Sequence, residues 1–235
     1  MPVLATRRLL LISSSTVAGT GYLDHAEAEI RDHLSGVRKV LFVPYALMDQ
    51  ETYATKAKER FVRLGYELES IHVARNPVRA VEEAEAIFIG GGNTFRLLKT
   101  LYDNELIDPI RTRVDDGMPY MGASAGSNVA GPTIRTTNDM PIVEPPSFNA
   151  LGVFPYQINP HYIDPDPGST HMGETREERL LQYLEENETP VVGIREGSYL
   201  RVEQGTIWLK GSRPARVFRR DETPFEVSPP AKIEL

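Results

Sequence analysis

Pro119-Tyr120-Met121-Gly122-Ala123-Ser124-Ala125-Gly126 decides how this chain is read. Met118 to Met121 is short and apolar, as a buried strand is, and the run from Ala125 through Asn128-Val129-Ala130 suits the start of a helix. Between them stands G-x-S-x-G, the pattern of a nucleophile elbow. Glycines on both sides of the serine leave room where a β-carbon would collide. The Ala125 amide then lies at a helix N-terminus, where it can donate to a developing oxyanion. Taken alone, the five residues equally describe a Gly/Ser turn without chemistry.

Strands and helices alternate up to this turn. Strands are expected at Arg8 to Ser13, Val40 to Pro44, Glu67 to Val73 and Ala86 to Ile89. Helices are expected at Tyr22 to Leu34, Asp49 to Leu64, Val78 to Ala84, Thr94 to Leu101 and Glu105 to Asp115. Strands separated by helices imply parallel β-α-β units and an α/β fold. Such sheets collect their sites at the carboxyl ends of the strands. The fourth strand also runs into glycines, Gly90-Gly91-Gly92-Asn93-Thr94. That turn matches neither a phosphate-binding loop nor a dinucleotide fingerprint. Beside a serine nucleophile it supplies a second oxyanion amide, from Gly92 and also Gly91.

The second half differs. Gly131 to Pro167 is rich in Pro, Asn and Asp and is expected to be irregular, as functional loops of this length are. A helix follows at Glu174 to Asn187 and a strand at Pro190 to Ile194. A C-terminal β-meander is expected from Tyr199 to Glu203, Thr206 to Leu209 and Ala215 to Phe218. With no linker or internal repeat, residues 1–235 read as one domain.

The bulk composition narrows the function classes. The 235 residues are 40% hydrophobic and 25% charged, as in a globular domain with a sizeable core. A net charge of −7 argues against nucleic-acid partners, which need a basic face. There is no cysteine, so disulfides, thiolate catalysis and thiolate metal sites are excluded. The apolar run Leu9 to Ile12 is too short for a membrane span and poor as a signal peptide, so a cytoplasmic location is expected. No paired-histidine spacing suggests a metal.

A serine needs a base, and there are five histidines. His25 and His33 lie on an expected surface helix and read as solvated. His72, near the end of the third strand, reads as structural. His171 lies in a Gly/Ser/Thr loop. His161 ends Gln157-Ile158-Asn159-Pro160-His161, where Asn-Pro gives a rigid, non-helical approach; it is favoured over His171. Two carboxylates suit the third position. Glu196 follows the apolar strand Val191-Val192-Gly193-Ile194, and Asp139 closes Thr136-Thr137-Asn138-Asp139. The residues leave that choice open.

The chain resembles peptidase E, the α-aspartyl dipeptidase family of serine peptidases. The resemblance rests on the two glycine motifs and on Pro132-Thr133-Ile134-Arg135-Thr136-Thr137-Asn138-Asp139-Met140-Pro141-Ile142. It continues through Phe154-Pro155, Gln157 to His161, Gly173-Glu174-Thr175-Arg176-Glu177 and Gly193-Ile194-Arg195-Glu196-Gly197. It implies a flavodoxin-like, glutamine-amidotransferase-like, mostly parallel sheet flanked by helices. It implies hydrolysis of dipeptides with an N-terminal aspartate, without a cofactor. By the same resemblance Ser124 is the nucleophile, His161 the base and Glu196 its acid partner, while Asp139 is functionally essential. Arg176 is the reader of the aspartyl carboxylate, and Asn93 is taken as a substrate contact. The order serine, histidine, acid departs from the serine, acid, histidine order of ordinary α/β-hydrolases. The expected partner is a small peptide, with no nucleic acid and no membrane; monomer and homodimer both stay open. The alternatives are a cyanophycinase-like enzyme cutting β-aspartyl links and a non-catalytic module that binds a small anion.

Overall fold

The computed structural model describes residues 4–166, 168, 170 and 172–235. Five parallel strands form its centre: β1 (Leu9–Ile12), β2 (Lys39–Val43), β3 (Glu67–Ser70), β4 (Ile87–Ile89) and β5 (Tyr120–Ala123). β1, β2, β4 and β5 are apolar and almost wholly buried, as strands covered on both faces must be. Between them run α1 (Glu27–His33), α2 (Gln50–Leu64), α3 (Pro77–Glu82), α4 (Thr94–Asp103) and α5 (Ile107–Asp115). The helices start where the sequence supplies caps: the Asp49, Asn76 and Asn93 side chains accept amides of α2, α3 and α4. Gly65, at φ 89°, ends α2.

After β5 comes α6 (Ala125–Asn128), a single turn. The irregular stretch expected next contains a strand that its composition hid, β6 (Gln157–Pro160). Then follow α7 (Arg176–Glu186), β7 (Val191–Ile194), β8 (Ser198–Glu203), β9 (Thr206–Gly211), β10 (Ala215–Phe218), β11 (Phe225–Val227) and β12 (Ala231–Lys232). The strands sort into two sheets. One has eight strands in the order β12-β9-β8-β1-β5-β4-β2-β3, and the other has four in the order β11-β10-β7-β6. The expected meander is therefore divided. β8 and β9 form a hairpin that extends the large sheet beyond β1, but β10 leaves to pair with β7.

His33 corrects the solvated placement. Its helix turns it inward, where it is fully buried and its Nε2–H donates to the Tyr120 carbonyl at 3.0 Å. Burial, with the Arg201 and Arg8 cations nearby, holds its pKa well below the ordinary 6.5. The unfolded chain therefore takes up a proton below about pH 6.5 that the folded chain refuses. The stability tied to a neutral His33 is complete above that pH. It is lost as the pH falls toward the folded value, by up to ~1.4 kcal/mol per pH unit. Urea titrations between about pH 7.5 and about pH 5.5 should show a smaller loss for His33→Gln than for the wild type.

Candidate active site

Ser124 sits where β5 reverses into α6, at φ 53° and ψ −112°, a backbone conformation that side chains rarely adopt. Close approach holds it there. A β-carbon on Gly122 would overlap the Gly126 carbonyl, and one on Gly126 would overlap the Ile89 carbonyl. The Ser127 hydroxyl lies 2.7 Å from the Ile12 carbonyl and 2.9 Å from that of Gly122, and the Tyr120 hydroxyl donates to the Gly126 carbonyl. The turn is thus fastened to β1 and β5.

His161 and Glu196 arrive from the other sheet. β6 and β7 pair in parallel with Pro160 opposite Ile194, so the residues just past both strands emerge side by side. His161 Nε2 lies 2.9 Å from Ser124 Oγ, and its Nδ1 lies 2.7 Å from Glu196 Oε1. An ionised carboxylate only accepts, so the imidazole proton belongs on Nδ1 and Nε2 keeps its lone pair toward the serine. Ser13, at the end of β1, joins the two sheets. Its buried Oγ accepts from the His161 amide at 3.0 Å and donates to the Ile194 carbonyl at 2.7 Å. Next to Glu196, the Arg195 guanidinium bonds both Asp164 and Glu226, tying down the segment that follows His161.

Asp139 is elsewhere. Its Oδ2 accepts the Thr94 amide at 2.7 Å and the Thr94 hydroxyl at 2.6 Å, which places an anion on the first turn of α4. Of the two carboxylates left open, Glu196 is the one bonded to the histidine. His171 lies outside the described residues. His72 bonds Ser70 and Glu51, remote from Ser124. His25 was read as solvated, yet both its ring nitrogens are buried without a partner among the described residues. Burial lowers its pKa, opposed by the charges of Asp24 and Glu196. No sequence signal marked this second imidazole near the acid, because it comes from a short turn far away in the chain.

The glycine turn after β4 stands against the elbow. A β-carbon on Gly91 would meet Ser124 Cβ at 3.0 Å. Gly92, at φ 138°, passes so close to the Ala46 carbonyl that only glycine fits. The Gly91 amide does not face the serine as an idle donor. It donates to Tyr53 Oη at 2.8 Å, so of the three amides expected to receive an oxyanion this one is already engaged. Asn93 is likewise committed: its side chain caps α4 through the Arg96 amide and donates to the Met140 carbonyl at 2.9 Å. Arg176 opens α7, half-buried, with no hydrogen bond or ion pair among the described residues. Burial and Arg179 lower its pKa, while Asp139 and Tyr162 oppose that shift. A cleft of about 530 Å³ opens on Ser124, His161, Gly91 and Gly92, and Tyr53 and Lys56 also line it. Among the described residues, no group of three or more His, Cys, Asp or Glu side chains is placed to hold a metal ion, and no helix is long and apolar enough to cross a membrane.

A serine, a histidine and a carboxylate in hydrogen-bonded series at a glycine elbow form the arrangement of a serine hydrolase. The model of peptidase family S51 matches residues 9–210. The chain belongs to peptidase family S51. Peptidase E of Streptomyces coelicolor is 53% identical over 220 residues, covering 94% of this chain and 90% of that one. A Drosophila melanogaster protein named "Probable alpha-aspartyl dipeptidase" is 47% identical over 232 residues, covering 97% of each. The solved structure of a peptidase from an acI-B1 Actinobacterium superposes with a TM-score of 0.71 over 98% of this chain and 97% of that one. At 18% identity that likeness concerns the fold, a large, mostly parallel sheet flanked by helices. As an S51 chain, the protein is a peptide hydrolase.

Ser13 yields a test free of any assay of activity. Ser13→Ala strands the His161 amide, while the Ile194 carbonyl keeps the bond it accepts from the Tyr162 amide at 3.1 Å, and should cost about 1–3 kcal/mol in urea unfolding. A loss under about 0.5 kcal/mol would mean that the hydroxyl does not join the sheets.

Proposed function

We propose that this chain is a serine-type dipeptidase that cleaves dipeptides with an N-terminal aspartate through an acyl-enzyme. The observation that carries this reading is the series Ser124 Oγ–His161–Glu196 at the elbow, in a chain nearly half identical to the named α-aspartyl dipeptidase. Glu196 holds the imidazole with its proton on Nδ1. Nε2 takes the hydroxyl proton as Ser124 attacks the peptide carbonyl, and Glu196 stabilises the imidazolium. The oxygen that becomes negative is received by the Gly92 and Ala125 amides, the second at the start of α6. His161 then protonates the departing amine. A water, deprotonated by the same nitrogen, releases the aspartyl group and restores the serine.

The aspartyl residue brings an ammonium and a side-chain carboxylate. Arg176 suits the carboxylate: it is half-buried, has no partner among the described residues, and its planar fork matches two oxygens. Asp139, whose charge is felt by Arg176, supplies an anion on the same side for the ammonium. Its bonds to Thr94 also make it a brace for the turn that carries Gly92. A cytoplasmic setting completes the proposal and suits a cysteine-free chain.

A panel of Asp-Leu, Ala-Leu and β-linked Asp-Leu, assayed with wild type and variants, tests the whole. Wild type should cleave Asp-Leu far faster than the other two. Ser124→Ala should lose at least ~10³-fold in kcat, and Glu196→Gln about 10²–10⁴-fold. Arg176→Ala should lose about 10²-fold in kcat/KM on Asp-Leu and little on Ala-Leu. Equal rates on Asp-Leu and Ala-Leu would refute the specificity. Cleavage of the β-linked substrate alone would point to a cyanophycinase-like enzyme. Failure of a serine-directed phosphonate to label Ser124 would point to a binding module.

A further inference from the structure

The cleft beside Ser124 contains a charge that the mechanism leaves unused. Lys56 is the one Lys or Arg among the described residues lining it. No carboxylate pairs with Lys56 among the described residues; its ammonium rests over the Tyr22 ring, 4.9 Å from the centroid. Its position is set from the serine outward through packed groups. Gly91 abuts Ser124, the Gly91 amide donates to Tyr53 Oη, and Tyr53 precedes Lys56 by three residues on α2, hence on the same face. Tyr53 is itself buried, and its ring packs edge-on against Phe42 at 5.1 Å and Tyr22 at 6.3 Å. A second group points the same way. Ser14 lines the cleft, is 1% exposed, and its hydroxyl has no hydrogen-bond partner among the described residues, which is uncommon for a buried polar group. The cleft's carboxylate, Asp49, is occupied as the cap of α2, accepting the Thr52 amide at 3.0 Å.

We infer that this cleft is the leaving-group subsite and that Lys56 binds the free C-terminal carboxylate of a dipeptide. The inference rests on the Asp-X proposal above and deepens it. Arg176, assigned there to the aspartyl side chain, does not line this cleft. The residue beyond the scissile bond therefore lies on the Lys56 side of the serine. In a dipeptide the carboxylate carbon stands only about 2.5 Å from the scissile nitrogen. A cation on the cleft wall thus distinguishes a dipeptide, whose charge falls there, from a longer peptide, which places a neutral amide at the same point. Lys56 is exposed, and attraction at a solvent-screened site sets the scale of the preference at about twofold to fivefold.

The test compares Asp-Leu with Asp-Leu-amide, which differ only in that charge. In wild type, kcat/KM should favour the acid by about twofold to fivefold, mainly through KM, and added salt should shrink the preference. Lys56→Met keeps the apolar stem on Tyr22 but removes the charge, and should bring the acid-to-amide ratio near one. Lys56→Arg should restore it. Calorimetric binding of both ligands to Ser124→Ala, with and without Lys56→Met, reads the same ratio without turnover. A ratio unchanged in Lys56→Met overturns the subsite and leaves the Asp-X activity standing, as does an equal loss on both ligands. Failure of wild type to cleave, and of Ser124→Ala to bind, either ligand overturns both the Asp-X proposal and the subsite.

Discussion

Two backbones pass at the elbow with no space for a side chain between them. Gly126 lies on the Ile89 carbonyl and Gly122 beneath the Gly126 carbonyl, so β5 can reverse direction within a single residue. That residue is Ser124, and the reversal forces its backbone to φ 53°. Much of the surrounding structure serves to keep it there. Ser127 bonds two strands at once, the Ser124 amide donates to the Ile12 carbonyl at 3.0 Å, and the Tyr120 hydroxyl closes on Gly126. An unfavourable conformation persists only when its neighbours over-determine it. Here they come from β1, β4 and β5 together, which is why the turn sits in the middle of the parallel strands.

The second element of the design is convergence. Ser13 follows β1, Gly90 to Gly92 follow β4, and Ser124 follows β5. His161 follows β6, and Glu196 lies just beyond β7. Each of these strands delivers its residue from the carboxyl end, where parallel sheets open to ligands. The loop lengths matter less than the pairing register. Opposing Pro160 to Ile194 brings His161 and Glu196 into bonding distance without further adjustment.

Local sequence carried much of this. The glycines flanking Ser124, the Asn-Pro approach to His161 and the apolar strand before Glu196 were all legible, because each depends on neighbours within a few residues. The choice between Glu196 and Asp139 was not. It depends on the pairing of β6 with β7, and β6 is a four-residue strand inside a Pro- and Asn-rich stretch whose composition suggests no strand. The commitment of the Gly91 amide to Tyr53 was hidden for the same reason, since the partner is 38 residues away. His33 shows the limit of periodicity. A polar, titratable side chain on a short helix reads as exposed, but the carbonyl of Tyr120 gives it a partner inside the core. The meander was divided because β10 pairs with β7 rather than β9, a tertiary choice that strand propensity does not reveal.

The bridge made by Ser13 has a consequence for where reactivity resides. The serine belongs to the eight-stranded sheet, while its histidine and acid belong to the four-stranded one. A chain that has formed only the first sheet carries an unaccompanied hydroxyl, and one that has formed only the second carries an imidazole with nothing to activate. On the roles proposed for Ser124, His161 and Glu196, reactivity is therefore a property of the two sheets together and of neither alone.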